Sequence, residues 1–301
     1  GILDASTLGK IDIQGPDARE FLNRIYTNSW SRLPIGRCKY GLMCTEDGML
    51  FDDGVTACLG ENHFIMTTTT GGAARVLDWL ENWLQTEWSD LRVFCTSVTD
   101  YWATIGISGP FSRQLLSEIT DIELDGRDFS FMDWRQGSVA GVPARIFRIS
   151  FTGELSYEIN VQADYATVVW DALMERGAKY DICPYGTEAM HILRAEKGFI
   201  IAGQDTDGSI SPIDLGLDWA VAKHKPFSFL GERGMQRADC LGTERKQLVG
   251  LKTHDPEKVL KEGSQIVFDS KQEKPMHMVG HVTSSYFSPI LERSIALAVV
   301  E

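Results

Sequence analysis

Two stretches of the sequence share one pattern of apolar and polar positions. At 11–22 and again at 103–116, alternating apolar residues lead to a Gly-Pro step, at 15–16 and 109–110, and then to apolar residues with helical spacing. Proline fits the first turn of a helix because its missing N–H has no partner there. The pattern predicts strand, tight turn and helix twice, about 90 residues apart. We therefore expect two related α+β halves.

Each half continues with segments that predict a pair of strands. Apolar segments at 50–58 and 63–67 flank the turn residues 59–62, and segments at 142–150 and 156–161 flank 151–154. Short apolar runs around Gly and polar residues are typical of β-hairpins. Because strand pairs alternate with helices, the fold class is α+β rather than a doubly wound parallel sheet.

An amphipathic helix follows each strand pair. The helices are predicted over 73–84 and 165–175, where apolar residues recur at intervals of three and four. The residues that share the apolar face are Val76, Leu77, Leu80, Trp83 and Leu84 in the first helix and Val168, Val169, Ala172 and Leu173 in the second.

The pattern changes near residue 246, where short strands alternate with turns. These strands are predicted at 247–251, 265–268, 278–282 and 295–300. They indicate a small all-β, barrel-like domain. We expect α+β halves at 1–99 and 100–235, the charged segment 233–246 as a linker, and the β domain at 246–301. Because the chain stops on a strand, we expect an open edge and missing C-terminal residues.

Composition and charge narrow the function. The 301 residues carry a formal net charge of −13, which disfavours nucleic acid as a partner. No apolar run reaches the roughly 18 residues of a membrane span, and the N-terminus lacks both a signal peptide and an initiator Met. We expect a fragment or a processed subunit.

Six cysteines without metal-ligand spacing indicate free thiols, mostly buried, in a reducing cytoplasm.

The pair Asp52-Asp53 is the most specific local signal for chemistry. Adjacent residues of a strand point to opposite faces, so one carboxylate is expected to face solvent and the other an interior. A carboxylate that faces an interior costs several kcal/mol unless it has a partner or a ligand. From the residues alone, a capped turn and a ligand site both remain open.

Several segments together carry a family resemblance. In chain order they are 1–6, the Gly-Pro helix, 48–53, 151–158, 193–198 with Asp205 and Pro212 after it, and 279–284. They resemble the glycine-cleavage T-protein (aminomethyltransferase) family over nearly the whole chain. The resemblance implies a T-protein-like folate-binding fold, with two related α+β halves and a small C-terminal all-β domain.

A closer likeness is to the alpha subunits of heterotetrameric sarcosine oxidases. It is carried by 39–43, 148–158, 198–205 and 278–286. By this likeness, an N-terminal nucleotide-binding half is absent, and the sequence has no GxGxxG fingerprint of its own. Flavins (FAD and FMN) and NAD are then expected only on other subunits or on that half. The implied partners are the beta, gamma and delta subunits and a small-molecule folate, with no nucleic acid and no membrane.

The resemblance assigns roles to two carboxylates. Glu158 matches the family residue that grips the pterin, whose ring N–H and exocyclic amine lie side by side and suit a bidentate carboxylate. The alternative is a surface Glu at a strand edge. Asp53 matches the catalytic aspartate, implied to lie near the folate nitrogens that take up the one-carbon unit. An anion there stabilises a cationic iminium and orients the attacking amine.

Further folate-binding residues are implied at Tyr40, Thr67, Thr69 and Phe151. Tyr40 matches a pterin-site tyrosine that stacks or donates a hydrogen bond. Thr67 contributes backbone groups, and Thr69 stands where the family often has asparagine. Phe151 replaces a common tyrosine, so one hydroxyl is missing. Met190 replaces the arginine that meets the anionic folate tail, which leaves the anchor of the tail open.

Four other residues carry open alternatives. Arg194 fits a helix-surface or buried pair, or a position near the ligand. His191 fits a packed histidine or a titrating neighbour of the site. His277 and His281 lie on one strand face without a nearby Cys or acidic cluster, so no metal is expected.

The implied activity is one-carbon transfer to tetrahydrofolate within an oxidoreductase complex. A partner subunit's flavin oxidises the N-methyl amine of sarcosine to an imine. This domain then converts the imine to 5,10-methylenetetrahydrofolate plus glycine, whereas water alone releases formaldehyde. The alternatives are a freestanding folate-dependent aminomethyl- or methyltransferase and a non-catalytic folate-binding regulatory module. The sequence leaves the amine substrate and the subunit stoichiometry open.

Overall fold

The computed structural model describes residues 1–242 and 244–301. This part of the chain forms two compact units. The first unit comprises Gly1–Asn23, Trp30–Gly41 and Gly54–Thr187. The second comprises Arg24–Ser29, Leu42–Asp53 and Glu188–Glu301.

The helices and strands of the described residues are as follows. The strands are β1 Ile2–Asp4, β2 Gly9–Gln14, β3 Cys38–Cys44, β4 Leu50–Gly60, β5 His63–Thr68, β6 Phe94–Ser97, β7 Trp102–Ser108, β8 Trp134–Val139, β9 Val142–Phe147, β10 Ser156–Gln162, β11 Gln247–Lys252, β12 Gln265–Val267, β13 Met278–Ser288 and β14 Arg293–Val300. The α-helices are α1 Ala18–Ile25, α2 Ala73–Thr86, α3 Ser112–Ser117, α4 Ala166–Gly177, α5 Thr187–Lys197 and α6 Glu232–Met235. None of these helices is long and apolar enough to cross a membrane.

The strands form three sheets, which we name by their place in the chain. The N-terminal sheet has the order β3-β4-β5-β2-β6, the middle sheet β1-β7-β10-β9-β8, and the C-terminal sheet β11-β14-β13-β12. The α+β class and the small C-terminal all-β sheet are confirmed. One strand crosses the expected division, because β1 pairs with β7 and joins the middle sheet. The reason is packing, since Ile2 is fully buried in the core that contains Ile105 and Ile107.

Both Gly-Pro steps form the predicted turns. Gly15 and Gly109 have φ values of 139° and 125°, a backbone region that residues with a Cβ rarely adopt. At Gly15, a Cβ would also lie 2.0 Å from the carbonyl oxygen of Arg92. The helices α1 and α3 begin two residues after each proline, as the repeated pattern predicts.

The two predicted hairpins and the helices that follow them are also present. β4 pairs with β5, and β9 pairs with β10, in antiparallel register. In α2 the buried residues are Val76 and Leu80. In α4 they include Val169 and Leu173, whereas Val168 is 50% exposed. The assignment of Val168 to the apolar face was wrong because it lies about 100° around the helix from Val169.

The C-terminal sheet lies in the second unit. β14 pairs with both β11 and β13, so the last strand of the sequence is a central strand. The edges of this sheet are β11 and β12, so the last strand is not itself an edge.

A buried ion pair connects α5 with the loop after it. The Arg194 guanidinium donates to a carboxylate oxygen of Asp205 at 2.5 Å, and both side chains are fully buried. Thr283 donates to the other carboxylate oxygen at 2.5 Å. Of the two readings for Arg194, the structure shows the buried pair. His191 packs near Tyr286, with 6.3 Å between the ring centroids.

Candidate functional site

A cleft opens between the N-terminal and middle sheets within the first unit. It encloses about 270 Å³, its opening to solvent included. Its walls are largely apolar, with polar groups at three positions. The lining residues are Val55, Ala57, Ile65, Thr67, Phe147, Ile149, Glu158 and Asn160.

Strand alternation explains why these residues meet. Residues two apart on a strand share a face, so each of β4, β5 and β10 contributes a pair to the cleft. Pairing between strands brings further residues to the same side of the sheet, because residues directly opposite one another share a face. Ala57 lies opposite Ile65, and Glu158 lies opposite Phe147.

The hydroxyl of Thr67 is held by the backbone of β4. It accepts a hydrogen bond from the Val55 N–H and donates to the Val55 carbonyl, both at 3.0 Å. The strands approach closely here, since a Cβ at Gly54 would lie 2.0 Å from the Thr67 carbonyl oxygen. Only glycine allows this approach, and it fixes one wall of the cleft.

Glu158 is the acidic group of the cleft. Its side chain is partly exposed, while the protein encloses the rest of it. Burial raises the pKa of Glu158 to about 7, and the positive charge of Lys10 acts in the opposite direction. The Glu158 carboxyl is therefore poised between its ionised and protonated forms near neutral pH.

The neighbouring polar residue Asn160 has a hydrogen-bond partner for its side-chain oxygen. Its side-chain oxygen accepts a hydrogen bond from the Thr104 hydroxyl at 2.9 Å. Because this bond fixes the amide oxygen, the NH₂ group of Asn160 is the part directed to other acceptors. Asn160 and Lys10 were not among the predicted site residues. Their sequence signals are a polar residue two positions after Glu158 and a lysine at a polar position of an alternating strand.

The two adjacent aspartates differ in burial, as the strand pattern predicts. Asp52 is buried and Asp53 is partly exposed. A carboxylate oxygen of Asp52 accepts a hydrogen bond from the Asp53 N–H at 2.8 Å. This bond helps to hold the backbone at Asp53 in place.

The other predicted site residues have distinct positions. Tyr40 is half-buried on β3, and Phe151 is half-buried in the loop between β9 and β10. The Thr69 hydroxyl accepts a hydrogen bond from the Gly72 N–H at 3.0 Å, at the turn before α2. Of the six predicted residues, Thr67 and Glu158 line the cleft together. The roles of all six residues stay predictions.

Thiols and metal ligands complete the chemical inventory of the described residues. Cys38, Cys44, Cys58 and Cys240 are buried, Cys95 is partly buried and Cys183 is exposed. Burial raises the pKa of Cys44 and of Cys95 to about 12, so these thiols stay protonated. In the same part of the chain, His, Cys, Asp and Glu form no group of three that could hold a metal ion.

Comparisons with known proteins match this fold over its whole length. A family model for the GCVT N-terminal domain matches residues 1–225, and one for the glycine cleavage T-protein C-terminal barrel domain matches 246–301. Aminomethyltransferase from Halothermothrix orenii is 33% identical, with 100% of this chain and 80% of that protein covered. The crystal structure of glycine cleavage system aminomethyltransferase T from Bartonella henselae has a TM-score of 0.84 at 25% identity and covers 100% of this chain and 78% of that one.

A second group of relatives is more similar in sequence but much longer. Sarcosine oxidase subunit alpha from Corynebacterium sp. (strain P-1) is 50% identical, and the one from Rhizobium meliloti is 43% identical. The match covers 100% of this chain and 31% of the Corynebacterium protein.

The fold and the matched regions place the molecule in the class of T-protein-like α+β folds with a C-terminal all-β domain. The chain belongs to the glycine-cleavage T-protein (aminomethyltransferase) family. Both resemblances drawn from the sequence motifs are thereby confirmed. The chain spans about a third of the length of the sarcosine oxidase alpha subunits that it matches.

Proposed function

We propose that this chain binds tetrahydrofolate and transfers a one-carbon unit to it, as the folate domain of a sarcosine oxidase alpha subunit. The observation that carries the proposal is Glu158, a carboxylate that lines a cleft with apolar walls. A carboxylate in such a place is costly unless a ligand or a charge compensates it. The cleft therefore has the features of a binding site rather than of a packed core.

The chemistry of the cleft fits a pterin. The ring presents an N–H and an exocyclic amine side by side, and a carboxylate accepts both in a bidentate arrangement. Val55, Phe147 and Ile149 offer apolar surface to a flat ring. Two N–H donors favour the ionised form of Glu158, so a bound pterin offsets the effect of burial on its pKa.

Asp53 is proposed as the catalytic residue, on the family resemblance and on its local structure. Bound tetrahydrofolate supplies the nitrogen atoms that accept the carbon. The Asp53 carboxylate, partly exposed on a backbone held by Asp52, supplies a fixed negative charge. Such a charge stabilises the positive charge of an imine in the protonated form and orients the amine that attacks it. Tyr40, Thr67, Thr69 and Phe151 are proposed to complete the folate site.

The rest of the reaction is assigned to other parts of the complex. The imine is proposed to come from oxidation of sarcosine by a flavin on a partner subunit, and the products are 5,10-methylenetetrahydrofolate and glycine. The beta, gamma and delta subunits are the proposed partners, with FAD, FMN and NAD held by them or by other parts of a longer alpha subunit. Free thiols favour a cytoplasmic location.

The second candidate is a freestanding aminomethyltransferase. It is favoured by the H. orenii relative, of which the chain covers 80%, and by the TM-score of 0.84. The first candidate is preferred because the sarcosine oxidase alpha subunit is 50% identical, against 33% for that aminomethyltransferase. Purification of the native protein separates the two candidates, since only the first requires flavin-bearing subunits to co-purify with the chain.

Calorimetric titration with tetrahydrofolate under anaerobic conditions tests the proposal. The wild type should bind, and Glu158→Gln should bind at least about tenfold more weakly, because a hydrogen bond to a charged group contributes ~1.5–3 kcal/mol. Glu154→Gln is the matched control, since Glu154 is an exposed acid four positions upstream. Equal affinity for the wild type and Glu158→Gln would remove Glu158 from the site, and a wild type that does not bind would refute the proposal.

A further inference from the structure

Lys10 is a fully buried lysine in β2, close to the cleft but not among its lining residues. Its ammonium donates to the carbonyl oxygens of Ser6 and Leu8, at 2.9 and 3.0 Å. Both acceptors lie in the turn between β1 and β2. A buried ammonium is costly unless its charge is compensated, and two neutral carbonyls do not supply a negative charge.

The strand register directs Lys10 toward the cleft. Lys10 lies directly opposite Thr67 in the antiparallel pairing of β2 with β5. Side chains of directly opposite residues extend from the same face of a sheet. Because Thr67 lines the cleft together with Glu158, the Lys10 side chain leaves the N-terminal sheet on the side that faces Glu158.

The charges around both groups agree with this placement. Burial lowers the pKa of Lys10, and the negative charges of Glu158, Asp4 and Asp100 oppose that effect, with Glu158 the largest of the three. Lys10 is the charged group of the described residues that lowers the pKa of Glu158.

The charge of Glu158 acts on two further titratable groups. They are the Cys38 thiol and the Tyr185 hydroxyl, and the pKa of each is raised, first by burial and further by the Glu158 charge. Both groups are neutral near pH 7 and add no charge to the cleft. Lys10 therefore provides the compensating charge for Glu158.

We propose that Lys10 is a positioning residue for pterin recognition, whose buried ammonium keeps Glu158 in the ionised form that accepts two N–H groups. The proposal rests on the folate site described above. A protonated Glu158 carries its own O–H and accepts only one of the two pterin donors. Removal of the Lys10 charge thus shifts the pH range of binding without removing any direct ligand contact.

The test uses Lys10→Met, which keeps most of the side-chain length and removes the charge. The ionisation of Glu158 is followed in the protein without folate by the carboxyl ¹³C shift. The midpoint should lie near 7 in the wild type. It should rise by about one pH unit in Lys10→Met, the low end of the effect of a nearby opposite charge.

Tetrahydrofolate affinity provides the second readout. With that shift, Lys10→Met should bind about fivefold more weakly at pH 7 and nearly as tightly as the wild type at about pH 9, where Glu158 is ionised in both proteins. In a Glu158→Gln background, Lys10→Met should leave the pH profile unchanged. Lys225→Met is the matched control, because Lys225 is a partly buried lysine that donates to the carbonyls of Tyr26 and Asn28 in the second unit.

The results distinguish a failure of the role proposed for Lys10 from a failure of the proposed function. A Glu158 midpoint that stays at its wild-type value in folded Lys10→Met, or that moves equally in Lys225→Met, would overturn the role of Lys10. If Lys10→Met does not fold, Lys10→Gln replaces it, since its amide still donates to the Ser6 and Leu8 carbonyls without a charge. Because the ¹³C titration needs no folate, a wild type that fails to bind refutes only the proposed function.

Discussion

Glu158 lies directly opposite Gly106 in the antiparallel pairing of β10 with β7. A Cβ at Gly106 would meet nothing closer than the Leu3 carbonyl oxygen at 3.8 Å. At the next pair on this face, the side chains of Asn160 and Thr104 fill the space with a hydrogen bond. The middle sheet thus leaves open space beside its one carboxylate in the cleft.

The first prediction concerns this open space. Gly106→Val should fold at least as stably as the wild type, because a β-branched residue favours a strand more than glycine does. Its side chain should occupy the space next to Glu158 and weaken tetrahydrofolate binding by about tenfold or more, equivalent to ~1.4 kcal/mol. Thermal unfolding and calorimetric titration measure the two effects. Gly106→Ala should give an intermediate affinity, and a valine variant that binds like the wild type would contradict the prediction.

The second prediction separates catalysis from binding at Asp53. Asp53→Asn keeps the shape of the side chain and removes the charge that is proposed to act on the imine. Folate affinity should change by less than about tenfold, or ~1.4 kcal/mol. In the complex with its flavin subunits, the carbon should be diverted from methylenetetrahydrofolate to formaldehyde while amine oxidation continues. An unchanged product ratio at saturating folate would leave Asp53 as a structural turn residue.

The third prediction concerns stability in the second unit. Asp205→Ala leaves the buried Arg194 guanidinium without its partner and removes the acceptor of Thr283. We expect a loss of about 3–5 kcal/mol, as for other buried ion pairs that lose one member. Urea unfolding followed by fluorescence measures it. The control is Asp125→Ala, whose exposed pair with Arg127 spans 3.2 Å and should contribute little to stability because solvent screens it. Similar losses in both variants would show that burial does not set the contribution of the ion pair.

The fourth prediction tests the first Gly-Pro turn. Gly15→Ala adds a Cβ that would lie 2.0 Å from the Arg92 carbonyl oxygen, at a φ of 139°. The clash and the backbone strain should together cost several kcal/mol, since a sparsely populated backbone conformation alone costs about 1–3 kcal/mol. Gly250→Ala is the control, because nothing lies within 4 Å of its added Cβ. A Gly15→Ala variant with the melting temperature of Gly250→Ala would show that the turn relaxes without penalty.

The local elements of the fold can be predicted from short stretches of the sequence. Both Gly-Pro turns, both hairpins and the helices α2 and α4 follow from patterns within about 15 residues, because turn chemistry and apolar periodicity are local properties. Glu158 was singled out by the family resemblance of the motif 151–158, and the structure shows that it lines the cleft. The pair Asp52-Asp53 was correctly divided between a buried and an exposed side by strand alternation alone.

The way in which distant strands combine could not be predicted from the sequence. The pairing of β1 with β7 and of β14 with β11 joins residues far apart in the sequence, and no local pattern encodes that choice. The burial of Lys10 is of the same kind. In sequence it is a polar residue of an alternating strand, for which solvent is the expected surroundings. Only the stacking of the N-terminal sheet against the middle sheet encloses its ammonium. In that position its positive charge lowers the pKa of Glu158.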